Sequence, residues 1–289
     1  RVAGEGVSPR GRHVGNYTLP HNGHQAAGQS QREDFSLGRG ADRPVEPAGG
    51  LIMASLVATQ PLQLHIPSDA PAALRSNAAA LIVPMNHPMA ETLAREEAQF
   101  FEEAPVLFDL ENADELFTFL VITVDGAARH IVRLSAPALT PGSRLLPFFL
   151  TDLVEADPDL TIADVRSYYS ALDIELERLI SVETQFRLGE QLEPIRSADL
   201  AYLALFQLVQ EHHCRGVVAH LNAPAIASFK RVGLDWHPFA GRVDLRTPTV
   251  KEDGTTGFDA DYQPVCLPLD TNAELLGGLA GLTPPLYRL

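Results

Sequence analysis

ELERLISVETQF (175–186), RLGEQLEPIR (187–196), ADLAYLALFQLVQEHH (198–213), VVAHL (217–221) and NAPAIASFKRVG (222–233) follow one another with almost no slack. The first piece, extended back to Ile174, interleaves β-branched and apolar residues with charge and reads as a strand over 174–186. The second holds Gly189, Pro194 and two arginines, a loop composition. The third is long enough for a helix and apolar nearly all round. Asp199, Gln207, Gln210 and Glu211 leave it a narrow polar stripe, so it packs between a sheet and other elements. After Gly216 comes a short strand, and Asn222 with Pro224 then starts a second helix that stops at Gly233. Two strands joined through a helix predict a parallel pair with a right-handed crossover. The first strand-to-helix joint presents the free N–H groups of a helix start, which suit an anion.

Upstream, FTFLVITV and ARHIVRLSA flank Asp125-Gly126, which predicts a hairpin over 117–135. Thr161 with Asp164 three residues on is a capping-box-like start for a helix to about Leu172. Residues 145–153 are an apolar segment with Phe148 and Phe149. Asn86-His87-Pro88 starts a helix with acidic residues on its exposed side, and residues 106–110 read as a short extended piece. LQLHI (62–66) reads as a strand, and Asp69 with Pro71 as the start of a helix through about Val83 that Pro84 stops. Downstream, RVDLR (242–246) and YQPVCLPL (262–269) read as two strands around a polar loop, 249–261, and residues 271–289 as a loosely packed tail. Trp236, Phe239 and Tyr262 are expected to close the far end of the core. Residues 1–52 are rich in Gly, Arg, Ser, Gln and Pro without apolar periodicity and read as disordered. They are either a leader ahead of a start at Met53 or a flexible tail. A single domain over 53–289 is expected to fold without them.

With 289 residues, 45% hydrophobic, the chain can bury a sizeable core. A formal net charge of −15 argues against nucleic acid and anionic membranes as partners, since no basic run segregates the charge. The two cysteines, Cys214 and Cys266, make no disulfide scaffold and point to a reducing cytoplasm. No apolar run reaches transmembrane length, so no integral membrane span is expected. His212, His213 and Cys214 fan out around a helix end and lack zinc-site spacing, so no metal is expected. Gly-x-Ser-x-Gly and P-loop patterns are also missing.

The order hairpin, strand, helix, strand, helix, then two more strands resembles the GNAT acyltransferase fold, a mixed central sheet flanked by helices. Three stretches carry the resemblance. RHIVRLSAPALTPGSRLLPFFLTDL (129–153) followed by ELERLISV (175–182) is similar to the branch of N-acyl amino acid synthases and acyl-homoserine-lactone synthases. There an Arg-Leu strand and a Phe-containing loop precede a Glu-x-Ser-Arg strand. Glu175 and Arg178 match its Glu and Arg, and Glu177 replaces the Ser. HLNAPAIASFKRVGL (220–234) is similar to the GNAT ending, an Asn, a helix, then Gly and an apolar residue. The resemblance implies an N-acyltransferase that moves an acyl group from a thioester donor to the amine of a small molecule, such as an amino acid in this branch. The donor is acyl-CoA or an acyl-carrier protein, used as co-substrate with no tightly bound cofactor. Attack is direct, because neither cysteine is placed for a covalent intermediate.

The resemblance assigns catalytic positions to Glu175 and Arg178, which in that branch help to hold the amine. At i, i+3 on a strand they point to opposite faces, and the competing reading is a charge on each side of a partly exposed strand. Glu183, at i+8 from Glu175 on an unbroken strand, shares its face and is the better general base. Arg187, Gly189, Arg196 and Ser197, with Asn222 at the later helix start, are the donor-binding candidates. The usual Arg/Gln-x-x-Gly-x-Gly/Ala phosphate loop is replaced by RLGEQLEPIRS, in which Glu190 and Glu193 oppose a phosphate. The two arginines are otherwise solvated loop residues, and Ser197 is an N-cap on either reading. His220 reads as a core or hydrogen-bonded histidine. Many members of the fold place a Tyr seven residues after that Asn to protonate the departing thiolate; here the position is Phe229. The rival to an enzyme is a GNAT-like module that binds a ligand or protein without transfer chemistry.

Overall fold

The computed structural model describes residues 57–58, 62–63, 78–101, 112–189, 197–231, 233–250, 256–259, 261–272 and 283–289. The short strands β1 (Val57–Ala58) and β2 (Leu62–Gln63) open the described chain. β3 (Ala79–Pro84) and helix α1 (Pro88–Phe101) follow. A helical turn at Ala113–Leu116 leads into the hairpin β4 (Phe117–Val124) and β5 (Ala127–Ser135). Helices α2 (Phe148–Ala156) and α3 (Ile162–Ser170) precede β6 (Leu179–Leu188), α4 (Ser197–Glu211), β7 (Gly216–Asn222) and α5 (Ala223–Arg231). Beyond them lie β8 (His237–Pro238), β9 (Thr247–Val250), β10 (Thr256–Asp259), β11 (Tyr262–Pro268) and β12 (Leu286–Arg288).

One mixed sheet runs β12-β3-β4-β5-β6-β7-β11-β8, with β1 beside β6 and β2 beside β5. The hairpin closes where expected: Asp125 and Gly126 both take positive φ, which a two-residue turn of this kind requires. β6 and β7 are parallel and joined through α4, as the strand–helix–strand reading predicts. Strand alternation sorts the core into two faces. Leu120, Ile122, Val132, Val182, Val217 and Ala219 face α4 and α5. Their neighbours face the other way. Phe119, Val121, Ile131 and Phe186 lie under α1. Leu179, Val218 and Cys266 lie under α2 and α3, with Phe149 and Tyr169.

Several boundaries differ from the sequence reading. Residues 79–84 are a buried strand paired with β4, not the end of a helix. AALIVP is too short and too evenly apolar for periodicity to tell the two apart, and burial on both faces settles it as a strand. RVDLR is a turn: Val243 is 68% exposed and Arg242 pairs with Asp244, so only Leu245 enters the core. The loop expected at 249–261 contains parts of the β9–β10 hairpin. The tail expected to be loose ends in β12, which pairs in parallel with β3. The calls on residues 1–52, on Asp69 and Pro71, and on 106–110 fall outside the described residues. Trp236 packs on Phe229 in one cluster and Phe239 on Tyr169 in another, so the closing aromatics divide between two faces.

Candidate active site

The site begins where two parallel strands part. β6 and β7 pair from Leu179 opposite Gly216 to Val182 opposite Ala219. Past that point β6 continues to Leu188 against β5, and β7 continues to Asn222 against β11. At the same place the register between β5 and β6 skips a residue: Leu134 faces Val182 and Arg133 faces Thr184. Glu183 is therefore a bulge, whose backbone groups are left out of the ladder and whose strand bends. Between Val182 and Arg187 the β6 edge facing the fork has no ladder partner among the described residues; at Arg187 and Leu188 β1 takes that edge, and β7 from His220 onward bounds the fork on the other side.

The side chains on the α1–α2 face fill the fork with polar groups. Glu183 Oε1 accepts from the Phe149 N–H at 3.2 Å and is in contact with Ser181 Oγ. The Phe148 N–H donates to Ser135 Oγ at 2.7 Å. Pro147 gives α2 no side-chain cap, so side chains of β5 and β6 satisfy its first N–H groups instead. A carboxylate there also complements the helix dipole. Next to it, Arg133 Nε donates to Glu97 Oε1 at 3.0 Å, with both side chains buried, and Glu97 also contacts Thr184 Oγ1. The Arg133 guanidinium stands 5.3 Å from the centre of the Phe117 ring.

This seam holds more carboxyls than Arg133 can balance. Burial of its carboxyl pushes Glu183 up, against the pull of Arg133, Ser181 and the Phe149 N–H, and Glu97 adds to the rise. Asp152, on α2, is raised to about 6 by burial first and then by Glu183 and Glu155. A carboxylate with a raised pKa is the form in which a side chain takes up a proton near neutrality.

The other expected residues lie apart from the fork. β6 starts only at Leu179; Leu176–Arg178 is a 3-10 turn, so Glu175 and Arg178 are not strand residues. Both are exposed, ahead of the paired part of β6, whereas the fork lies past it. Glu175 and Glu183 therefore do not share the face of one unbroken strand. Glu177 is held by a two-pronged contact with Arg166 of α3, at 2.7 and 3.1 Å, which ties the turn to the helix.

At the far end of β6, Arg187 lies opposite His130 in register and so on the α4 face. Gly189 ends the strand at φ 71, where a side chain would be strained. Ser197 is buried at the start of α4, its Oγ 3.5 Å from His130 Nδ1. Burial lowers His130 to about 4, with Gln185 opposing and Arg187 assisting the drop. Arg187 and Ser197 thus both lie by His130, Ser197 at the start of α4, while Gly189 follows the end of β6 and Arg196 lies outside the described residues. Asn222 Oδ1 accepts from the Ala225 N–H at 3.0 Å and caps α5.

Phe229 does not reach the fork. It is fully buried on the α4 side, its ring 5.0 Å from that of Tyr202 and 5.5 Å from that of Trp236. Cys214 and Cys266 are buried, and burial pushes both thiols up to about 12, which suits neither for attack. The residues that sequence reasoning passed over are Ser135, Glu97, Arg133 and Asp152. A polar residue at an inward position of a strand, as Arg133 is in HIVRLS, was the available signal. Among the described residues no group of three or more His, Cys, Asp or Glu is placed to hold a metal, and no helix is long and apolar enough to cross a membrane.

No family model matches the chain, and no curated protein matches it. Among solved structures it is similar to a CoA-dependent acyl-homoserine lactone synthase, BjaI, with SAM and isopentyl-CoA. That similarity has TM-score 0.41 and 12% identity, and covers 74% of this chain and 94% of that one. It is similar to the AHL synthase LasI at TM-score 0.43 and 15% identity, over 70% and 96%. It is also similar to AAC(6')-Ib in complex with paromomycin and acetyl-CoA, at TM-score 0.33 and 10% identity, over 68% and 97%. With every one of these scores below 0.5, the likenesses assign this chain neither a family nor a chemistry.

Proposed function

We propose that the chain is an N-acyltransferase. It moves an acyl group from a thioester, carried by coenzyme A or an acyl-carrier protein, to the amine of a small molecule in the fork between β6 and β7. The observation that carries this reading is the parting of the two parallel strands at a bulge, with the half-buried Glu183 held there by the Phe149 N–H. An acyl-pantetheine arm is an extended chain with amides and a thioester carbonyl. Uncommitted β6 backbone is the kind of partner that such a chain needs.

The donor's phosphates would lie at the start of α4, where Arg187 and the helix N–H groups supply positive charge. The acceptor enters as an ammonium, which the excess of carboxyl groups in the seam favours. Glu183 first takes one proton from the ammonium and passes it to water. The freed lone pair forms the C–N bond to the thioester carbon, the carbonyl π pair moves to oxygen, and collapse expels the thiolate, which the nitrogen's second proton neutralises. On this reading Glu175 and Arg178 carry no step of the transfer, since neither lines the fork.

One observation favours the non-catalytic reading. Glu183 already serves as the cap of α2, a structural task that a binding module would need equally. Calorimetry with acetyl-CoA, octanoyl-CoA and an octanoyl-loaded acyl-carrier protein, followed by thiol release in the presence of primary amines, separates the two. Binding with amine-dependent thiol release supports the enzyme, binding without release leaves the module, and no binding of any of the three overturns the acyl-transfer reading.

A further inference from the structure

His220 is the first residue of β7 beyond the last pair with β6, and the acyl-transfer reading gives it no task. Its ring lies on the α2 side of the sheet, its centre 4.4 Å from that of Phe149, whose N–H holds Glu183. Glu183 and His220 thus stand on the two strands that part, with Phe149 touching both. His220 Nδ1 is 2.7 Å from Thr247 Oγ1. Thr247 lies on β9, which packs against both α2 and β11. With Nδ1 held by Thr247, Nε2 is the edge left for a ligand in the fork beside it.

The tautomer follows from hydrogen-bond satisfaction. Thr247 is only 3% exposed, and among the described residues its hydroxyl has no partner other than His220. A buried hydroxyl needs somewhere to donate, and Nδ1 is the available acceptor. Accepting at Nδ1 leaves the proton on Nε2. The ring is also held uncharged, because burial lowers His220 to about 3. A neutral imidazole with a fixed N–H donates a hydrogen bond and does not transfer its proton.

We propose that His220, as the Nε2–H tautomer set by Thr247, donates a hydrogen bond across the fork to the thioester carbonyl oxygen and to the oxyanion that forms there. This rests on the acyl-transfer reading above. When the amine adds, the C–N bond forms and the carbonyl π pair settles on oxygen opposite Nε2–H. On collapse the C=O bond returns, the C–S bond breaks and the imidazole is unchanged, so the donor acts without entering the proton balance. β6 backbone supplies the other side of the same anion site, where fixed donors act most strongly because they are already oriented.

The test has two parts. On the unmutated protein with 15N-labelled histidine, the nitrogen shifts of His220, assigned by their loss in His220→Phe or their displacement in Thr247→Val, report the tautomer. An Nε2–H pattern is expected, and an Nδ1–H pattern overturns the proposal. With [1-13C]acetyl-CoA bound, the carbonyl infrared band should lie at higher frequency in His220→Phe than in the wild type. Turnover should fall by about 10²–10³-fold, the effect of removing one oxyanion donor, while the dissociation constant changes far less. Thr247→Val, which keeps the ring and frees the tautomer, should fall part of the way and serves if His220→Phe does not fold. An unmoved band with unmoved turnover in the folded variants overturns the role of His220 alone. A wild type that binds acetyl-CoA and octanoyl-CoA but transfers to no amine overturns the acyl-transfer reading instead.

Discussion

Asp152 and Glu183 sit in one seam with a single arginine, and their electrostatics are measurable without knowing the substrate. Asp152 keeps its proton to about 6, against an ordinary 3.8, first because of burial and then because of Glu183 and Glu155. A carboxyl whose folded-state pKa is raised contributes stability that is complete below about 3.8 and lost as pH rises through about 6. Asp152→Asn should therefore flatten the stability profile across that window and gain on the order of 1–2 kcal/mol at pH 7. Denaturant titrations at pH 4, 5, 6 and 7 check it, and a profile as steep as the wild type's would mean that another group carries the slope. Phe229 gives a second residue-scale expectation, for Phe229→Tyr. The ring is fully buried against Tyr202 and Trp236, so a new hydroxyl there has no water and crowds two aromatic neighbours. It should cost about 1–3 kcal/mol of stability and leave turnover per folded molecule alone. A gain in turnover would place the hydroxyl in the fork and contradict the packing.

The elements that sequence showed best are those whose signal is local. FTFLVITV-DG-ARHIVRLSA contains its own turn, and Thr161 donates and accepts within three residues, its Oγ taking the Asp164 N–H at 3.1 Å. What sequence could not show depends on partners far along the chain. AALIVP became a strand because β4 lies beside it, and ELER became a 3-10 turn because Arg166 of α3 grips Glu177. Glu183 was legible as an acid on the strand. Its bond to Phe149, 34 positions away, and its place at the bulge were not. The start of α4 is an intermediate case: Ser197 and Arg187 were legible as candidates for an anion site, and His130 behind Ser197 was not. At that element, Arg187→Ala with Arg196→Ala should weaken acetyl-CoA binding about tenfold or more, since one charged hydrogen bond is worth about 1.5–3 kcal/mol. Calorimetry reads it directly. An unchanged dissociation constant, with a melting transition retained, would put the donor's phosphates elsewhere.

At the scale of the molecule, a net charge of −15 acts on two substrates of opposite sign. A CoA thioester is a polyanion and the proposed acceptor a cation. Near the proposed phosphate site the formal charges cancel, because RLGEQLEPIR pairs two arginines with two glutamates. Long-range forces are then set by the whole surface, and they are screened beyond about 8–10 Å at physiological salt. The acidic body repels the donor on approach and gathers the ammonium. Raising salt from about 20 to about 300 mM shortens the screening distance from about 20 Å to about 6 Å, which removes both effects. The association rate of acetyl-CoA should therefore rise with salt, by a few-fold, while the KM of the amine rises too, because its attraction is lost. Stopped-flow binding of the thioester and steady-state titration of the amine give the two numbers on the same protein. The pairing makes the test specific. A basic docking face would make thioester binding weaken steeply with salt, and a neutral acceptor would leave its KM flat. Either outcome would show that the charge of this chain does not select its substrates in the way the fork and its carboxyls require.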